Sequence, residues 1–179
     1  MEFSTGPNGR EEEIVDLFGA TFTASEGSRE GALIGDLARS LLRTTAEQDL
    51  FVFTAEQDGA IIGGVLCSRL SYAQDDRNLF VLGPVAVVTD QQGNGIGQQL
   101  LTYALAGLRS AGVDIAMTYG DPNYYAKVGF LPISEADAQA PFKLSQPEGW
   151  LAQPLTDHQI TPLQGPSRCV EALNDPVFW

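Results

Sequence analysis

Apolar positions recur first at helical spacing and then in short, strand-like runs. Ile14, Leu17, Phe18 and Phe22 mark a helix from about Arg10 to Phe22, after a Pro7-Asn8-Gly9 turn. Ser28 to about Arg43 predicts a second amphipathic helix, with Ala32, Leu33, Leu37, Leu41 and Leu42 facing inward. Leu50 to Phe53 then forms a buried run, Asp58-Gly59 is a hairpin signal, and Ile61 to Leu70 is the returning strand. A further strand is expected from about Leu79 to Val88. Gly83-Pro84 should break or bulge its pairing, because proline cannot donate to a ladder. Gly95 to Ala111 predicts a third helix, buried through Ile96, Leu100, Leu101, Ala104, Leu105 and Leu108. Val113 to Tyr119 reads as a strand. A short helix should follow, with Asp121 as N-cap, Pro122 in its first position and Gly129 as a left-handed C-terminal cap. Phe130 to Ile133 and Trp150 to Leu155 supply the last strands. The stretch from Thr156 reads as irregular, with an apolar Val177-Phe178-Trp179 group that should dock. Two helices, a strand meander and alternating strands and helices predict a mixed α/β (α+β) layer architecture.

Composition narrows the function classes. The 179 residues, 44% hydrophobic and 18% charged, fit an ordinary globular protein rather than a disordered one. Ten basic against 23 acidic residues give a net charge of −13. That is the wrong sign for nucleic acid, which needs clustered Lys and Arg, and for docking on anionic membranes. No apolar run approaches the roughly 18 to 20 residues of a membrane span. Met1 to Arg10 lacks the basic and apolar regions of a secretory signal, so a cytoplasmic protein is expected. Cys67 and Cys169 form no CxxC and no zinc-like cluster, so no metal is expected. Two free thiols is the simpler reading, with a disulfide between them left open.

One stretch carries chemistry. Val85-Ala86-Val87 feeds Gln92-Gly93-Asn94-Gly95-Ile96-Gly97-Gln98, which opens the third helix. The first amides of a helix lack internal partners, and the helix dipole adds positive potential. Glycine lets a phosphate approach this backbone without a Cβ in the way. Such a loop can hold a pyrophosphate in an acidic protein, because the local field comes from amides. Walker A does not fit, since no Gly-Lys-Ser or Gly-Lys-Thr follows. The dinucleotide spacing G-x-G-x-x-G fails at Gln98.

Gln92-x-x-Gly95-x-Gly97 does resemble the Q/R-x-x-G-x-G/A signature of GNAT-type N-acetyltransferases. Tyr125-Ala126-Lys127-Val128-Gly129-Phe130 is similar to the family's Y-x-x-x-G-F element, and Leu82 to Val87 to its splayed fourth strand. Gly120 to Tyr125 is similar to a subgroup of predicted bacterial acetyltransferases. The resemblance covers roughly residues 10 to 155. It implies a central, mostly antiparallel twisted sheet splayed at the fourth strand, with helices on both faces, over residues 1–155. Residues 156–179 would be a tail packed on the same domain or on a partner subunit.

The resemblance also implies roles. Acetyl-CoA would be co-substrate, held by Val85, Ala86, Val87, Gln92, Gly93, Asn94, Gly95, Ile96, Gly97 and Gln98. The amides of Val85 and Val87 would meet the pantetheine and polarise the thioester, and those of Gly93 to Gln98 would meet the pyrophosphate. Many relatives carry Arg or Lys in this loop; here the position is Asn94. Tyr125 matches the family tyrosine beside the CoA sulfur, and Tyr124 would take its place if the register slipped by one. A phenol of pKa near 10 stays protonated at neutral pH and can donate to the departing thiolate. Seven residues earlier, where the family often has Asn, stands Thr118. Glu30, Glu56, Asp75, Asp76 and Asp121 are candidate bases. The expected reaction is direct acetyl transfer, in a ternary complex, to a primary amine of a small molecule or peptide, by a monomer or homodimer. A non-catalytic acyl-CoA-binding module is the alternative.

Overall fold

The computed structural model describes residues 1–179. Asp58 and Gly59 have φ of 52° and 81°, the pair of positive values that a two-residue turn needs to match strand twist. They join β2 (Leu50–Gln57) to β3 (Ala60–Tyr72). Before this hairpin come β1 (Glu2–Thr5), α1 (Glu11–Glu26) and α2 (Ser28–Thr44). After it follow β4 (Asp75–Val87), α3 (Ile96–Ser110), β5 (Ile115–Tyr119) and α4 (Pro122–Ala126). The remaining strands are β6 (Leu131–Pro132), β7 (Trp150–Pro154) and β8 (Ser167–Cys169). The sheet has eight strands in the order β1-β2-β3-β4-β5-β7-β6, with β8 added on β3. β4 and β5 pair in parallel, whereas β1–β2, β3–β8, β5–β7 and β6–β7 are antiparallel.

The chain forms two compact units, Met1–Cys67 with Gly83–Ala104, and Ser68–Leu82 with Leu105–Trp179. β3, β4 and α3 run through both. In the first unit, neighbouring glycines of β3 point to opposite faces, and each face carries a helix. A Cβ on Gly63 would lie 3.3 Å from Leu100 of α3, and one on Gly64 would lie 3.1 Å from Leu17 of α1. α1 buries Ile14, Val15, Leu17 and Phe18. α2 departs from the expected stripe: Gly31, Ile34, Gly35, Leu37, Ala38 and Leu41 are buried, while Ala32 is exposed and Leu33 and Leu42 are half-buried. The helix turns its small residues toward α1, where Gly19 and Gly35 bring the two backbones together. β1 was not expected either. Four residues are too few to show alternation, and its place is fixed by partners far along the chain. Phe3 stacks on Tyr103 at 5.2 Å, Tyr103 meets Phe53 edge-on at 5.9 Å, and Phe3 pairs in register with Ala55. The strand likened in the sequence to the family's fourth is accordingly the fourth in this chain.

In the second unit the parallel ladder runs from Leu79↔Ile115 to Leu82↔Thr118 and stops just before Gly83-Pro84, whose peptide bond is cis. Strand conformation nevertheless continues to Val87. Trp150 is fully buried and donates its indole N–H to Ala138 O at 2.8 Å. Residues after Thr156 are held in part through the side chains of Asp75 and Arg77. Arg77 donates to Asp75, to both oxygens of Thr161 and to Pro162 O, and Gln164 N donates to Asp75. Main-chain pairing of β8 with β3 and the buried Leu163, Leu173 and Trp179 add to these polar pins.

Candidate active site

The loop between β4 and α3 takes its shape from glycine. Gly93 and Gly95 have φ of 79° and 77°, in the left-handed region that other residues avoid. Gly95 O accepts the first helical bond, from Gln99 N at 3.1 Å. The amides of Ile96, Gly97 and Gln98 thus fall in the turn that has no helical acceptor. Nothing lies within 4 Å of where a Cβ on Gly93 would stand, so the approach to the loop is open. Gln92 ties the loop back to the strand, its side-chain amide donating to Val87 O at 2.9 Å, and Asn94 donates to Gln91 O at 3.3 Å. Both side chains are thus engaged with main chain. From sequence Gln92 reads as a cofactor contact, and nothing local signals this latch.

Just past β4, Val88 N donates to Ile62 O of β3. Strand amides alternate between edges, so the N–H groups of Val85 and Val87 point to the edge opposite β3. Val85 and Val87 are half-buried, and Ala86 between them is buried. The ten cofactor-loop and strand residues singled out in the sequence therefore lie together in the first unit.

Tyr125 belongs to the second unit, on α4. Asp121 caps that helix by accepting from Asn123 N at 2.9 Å, Pro122 sits in its first turn, and Gly129 has φ 98°. Tyr125 is buried, with Tyr124 and Phe130 edge-on at 5.2 and 5.7 Å. Tyr124 is half-buried, and that burial pushes its phenol above the ordinary tyrosine value. Thr118 is fully buried and donates to Leu82 O at 2.9 Å, bracing the final β4–β5 rung.

The candidate bases are mostly engaged elsewhere. Glu56 accepts from Arg10 at 2.7 Å, Asp75 is clasped by Arg77, and Asp121 is the α4 cap. Asp76 is exposed, and Glu30 lies in the first turn of α2. Cys67 and Cys169 are both free and buried, and burial alone holds the Cys67 thiol far above its ordinary value, unreactive as a nucleophile.

A family model described as an acetyltransferase (GNAT) domain matches residues 48–132, which include the whole of β4, the glycine loop, α3 and α4. Over these residues the chain is similar to the GNAT acetyltransferases. The chain is 28% identical over 141 residues to YjhQ, an uncharacterized N-acetyltransferase of Escherichia coli K12, covering 76% of this chain and 77% of that one. Its fold is also that of two solved GNAT structures. One, from Brucella melitensis in complex with acetyl-CoA, has TM-score 0.74 and 24% identity over 96% of this chain and 97% of the other. The second, YhbS from Escherichia coli in complex with CoA, has TM-score 0.79 and 22% identity over 98% and 92%.

Proposed function

We propose that this chain transfers the acetyl group of acetyl-CoA directly to the primary amine of a small molecule or peptide. The observation that carries the reading is the loop: three helix-opening amides, two left-handed glycines and an open approach, fed by a strand whose parallel ladder has ended. That geometry suits a pyrophosphate. The complexes of its structural neighbours with acetyl-CoA and CoA support the same ligand.

In this reading the amides of Gly93 to Gln98 hold the pyrophosphate, and those of Val85 and Val87 hold the pantetheine and polarise the thioester carbonyl. The neutral amine nitrogen forms its bond to the carbonyl carbon as the carbon–sulfur bond breaks. The electron pair leaves on sulfur, where the Tyr125 phenol donates a hydrogen bond. Full proton transfer from phenol to a thiolate is uphill by about 2 kcal/mol, so hydrogen bonding carries much of the effect. The amine proton leaves to solvent. A monomer or homodimer in the cytoplasm accommodates this chemistry.

Thermal unfolding with acetyl-CoA, CoA, NADH and ATP in parallel tests the ligand. At 100-fold its Kd a ligand stabilises by about 2.7 kcal/mol, which raises the midpoint by about 5 to 10 °C. Acetyl-CoA and CoA should give this shift, and its absence at millimolar ligand would sink the reading. Turnover with a panel of amines then separates transfer from mere binding. Tyr125→Phe is expected to lower kcat by about 10- to 100-fold while leaving the CoA shift in place.

A further inference from the structure

Gly120 joins β5 to α4 and is not among the glycines with positive φ, so its backbone would accept any L side chain. What excludes a side chain is Tyr125. A Cβ on Gly120 would stand 2.7 Å from Cε2 of that ring, 3.5 Å from Cδ2 and 3.7 Å from Cζ, the carbon that bears the hydroxyl. The ring therefore lies directly on the bare backbone of residue 120.

That backbone has little room to retreat. Gly120 N donates to Gly149 O at 3.0 Å, and a Cβ on Gly149 would be 2.9 Å from Gly120 O. One residue earlier, the Tyr119 ring stacks on Trp179 at 6.3 Å and meets Trp150 edge-on at 6.5 Å. The Tyr119 hydroxyl accepts from Gln146 N at 2.7 Å, which fixes the loop leading to Gly149. Trp179 in turn donates to Leu173 O and packs on Trp150 at 5.9 Å. On its other sides Tyr125 meets the rings of Tyr124 and Phe130. A methyl group at position 120 must therefore displace the phenol rather than the backbone, by about 0.7 Å to restore a 3.4 Å contact.

We infer that Gly120 is a positioning residue for acetyl transfer: its missing side chain seats the Tyr125 ring and so sets where the phenol hydroxyl stands. The inference rests on the proposed role of Tyr125 as hydrogen-bond donor to the leaving sulfur. A misplacement of this size costs about tenfold in a step that depends on alignment.

The test is a kinetic cycle of wild type, Gly120→Ala, Tyr125→Phe and the double variant, each checked for its thermal shift with CoA. Gly120→Ala should keep the CoA shift and the KM for acetyl-CoA and lose about tenfold in kcat. In the Tyr125→Phe background the same substitution should cost nothing further, because no hydroxyl remains to misplace. Wild-type kcat in Gly120→Ala, or an equal loss in both backgrounds, overturns the inference while leaving Tyr125 its role. Full activity in Tyr125→Phe instead removes the role itself, and the inference with it. Should Gly120→Ala fail to fold, Gly120→Ala/Tyr125→Ala decides. Stability equal to that of Tyr125→Ala supports the seat, and continued unfolding overturns it.

Discussion

Asp75 stands at the first position of β4 with its carboxylate enclosed by donors. The Arg77 side chain supplies Nε and Nη2, and the amides of Arg77 and Gln164 complete the set. The Arg77 guanidinium is the main reason its pKa is lowered to about 2, with the two amides adding to that pull and partial burial opposing it. Because the folded value is depressed, the stabilisation is fully present above the unfolded carboxylate value near 4 and fades as pH falls toward about 2. Urea midpoints of wild type and Asp75→Asn should differ by a constant amount above about pH 5 and converge between pH 4 and 2. A gap that does not change across that window would remove Asp75 from the acid response. In the sequence Asp75 is one of several possible bases, since nothing in Asp75-Asp76-Arg77 says which carboxylate folds back on the arginine.

At the scale of elements, α1 and α2 show how far periodicity reaches. Both helices were legible from their apolar spacing, whereas the buried face of α2 was not. The seam is made of glycines, which a hydrophobic pattern passes over. Gly31 sits so close to α1 that a Cβ would clash with Thr23 Oγ1 and lie 2.6 Å from Gly19 O. In an ordinary helix Gly→Ala gains up to about 1 kcal/mol. Here overpacking should reverse the sign, with Gly31→Ala destabilising by about 1 to 3 kcal/mol and lowering the melting midpoint. Thr23→Ala should not rescue it, because the Gly19 carbonyl belongs to the backbone and cannot be trimmed. A raised midpoint in Gly31→Ala would mean that the helices part freely. β1 and β8 escaped for a related reason. Each is short, and each is fixed by register with a strand distant in sequence. The α3 stripe, the Asp58-Gly59 turn and the Asp121 cap were readable because local chemistry alone specifies them.

Over the whole molecule, a chain of charge −13 is expected to receive a polyanion. With Asn94 and no cation between Gln92 and Gln98, the proposed cradle attracts through amide dipoles, while the protein's wider field repels. Salt screens the wider field beyond about 8 Å at physiological strength and touches the close amide contacts far less. Acetyl-CoA affinity should therefore hold or rise with added salt, measured by titration calorimetry, and Asn94→Arg should turn that into a fall. A steep fall in the unchanged protein would point to a side-chain cation at the pyrophosphate. The loop itself was legible because glycine spacing is a backbone signal. The seat of Tyr125 and the latch of Gln92 were not, since both depend on which atoms meet after folding.

Backbone amides, not side chains, form the proposed cradle at Gly93 to Gln98. A binding surface made of main-chain amides is spelled in torsion angles rather than in side-chain identities. Alanine at Gln98 would leave every proposed pyrophosphate donor in place, and alanine at Gln92 or Asn94 would report on the hold of the loop rather than on its donors. Replacing single peptide bonds there by esters, which deletes one donor and leaves each side chain untouched, is the change to which such a surface responds.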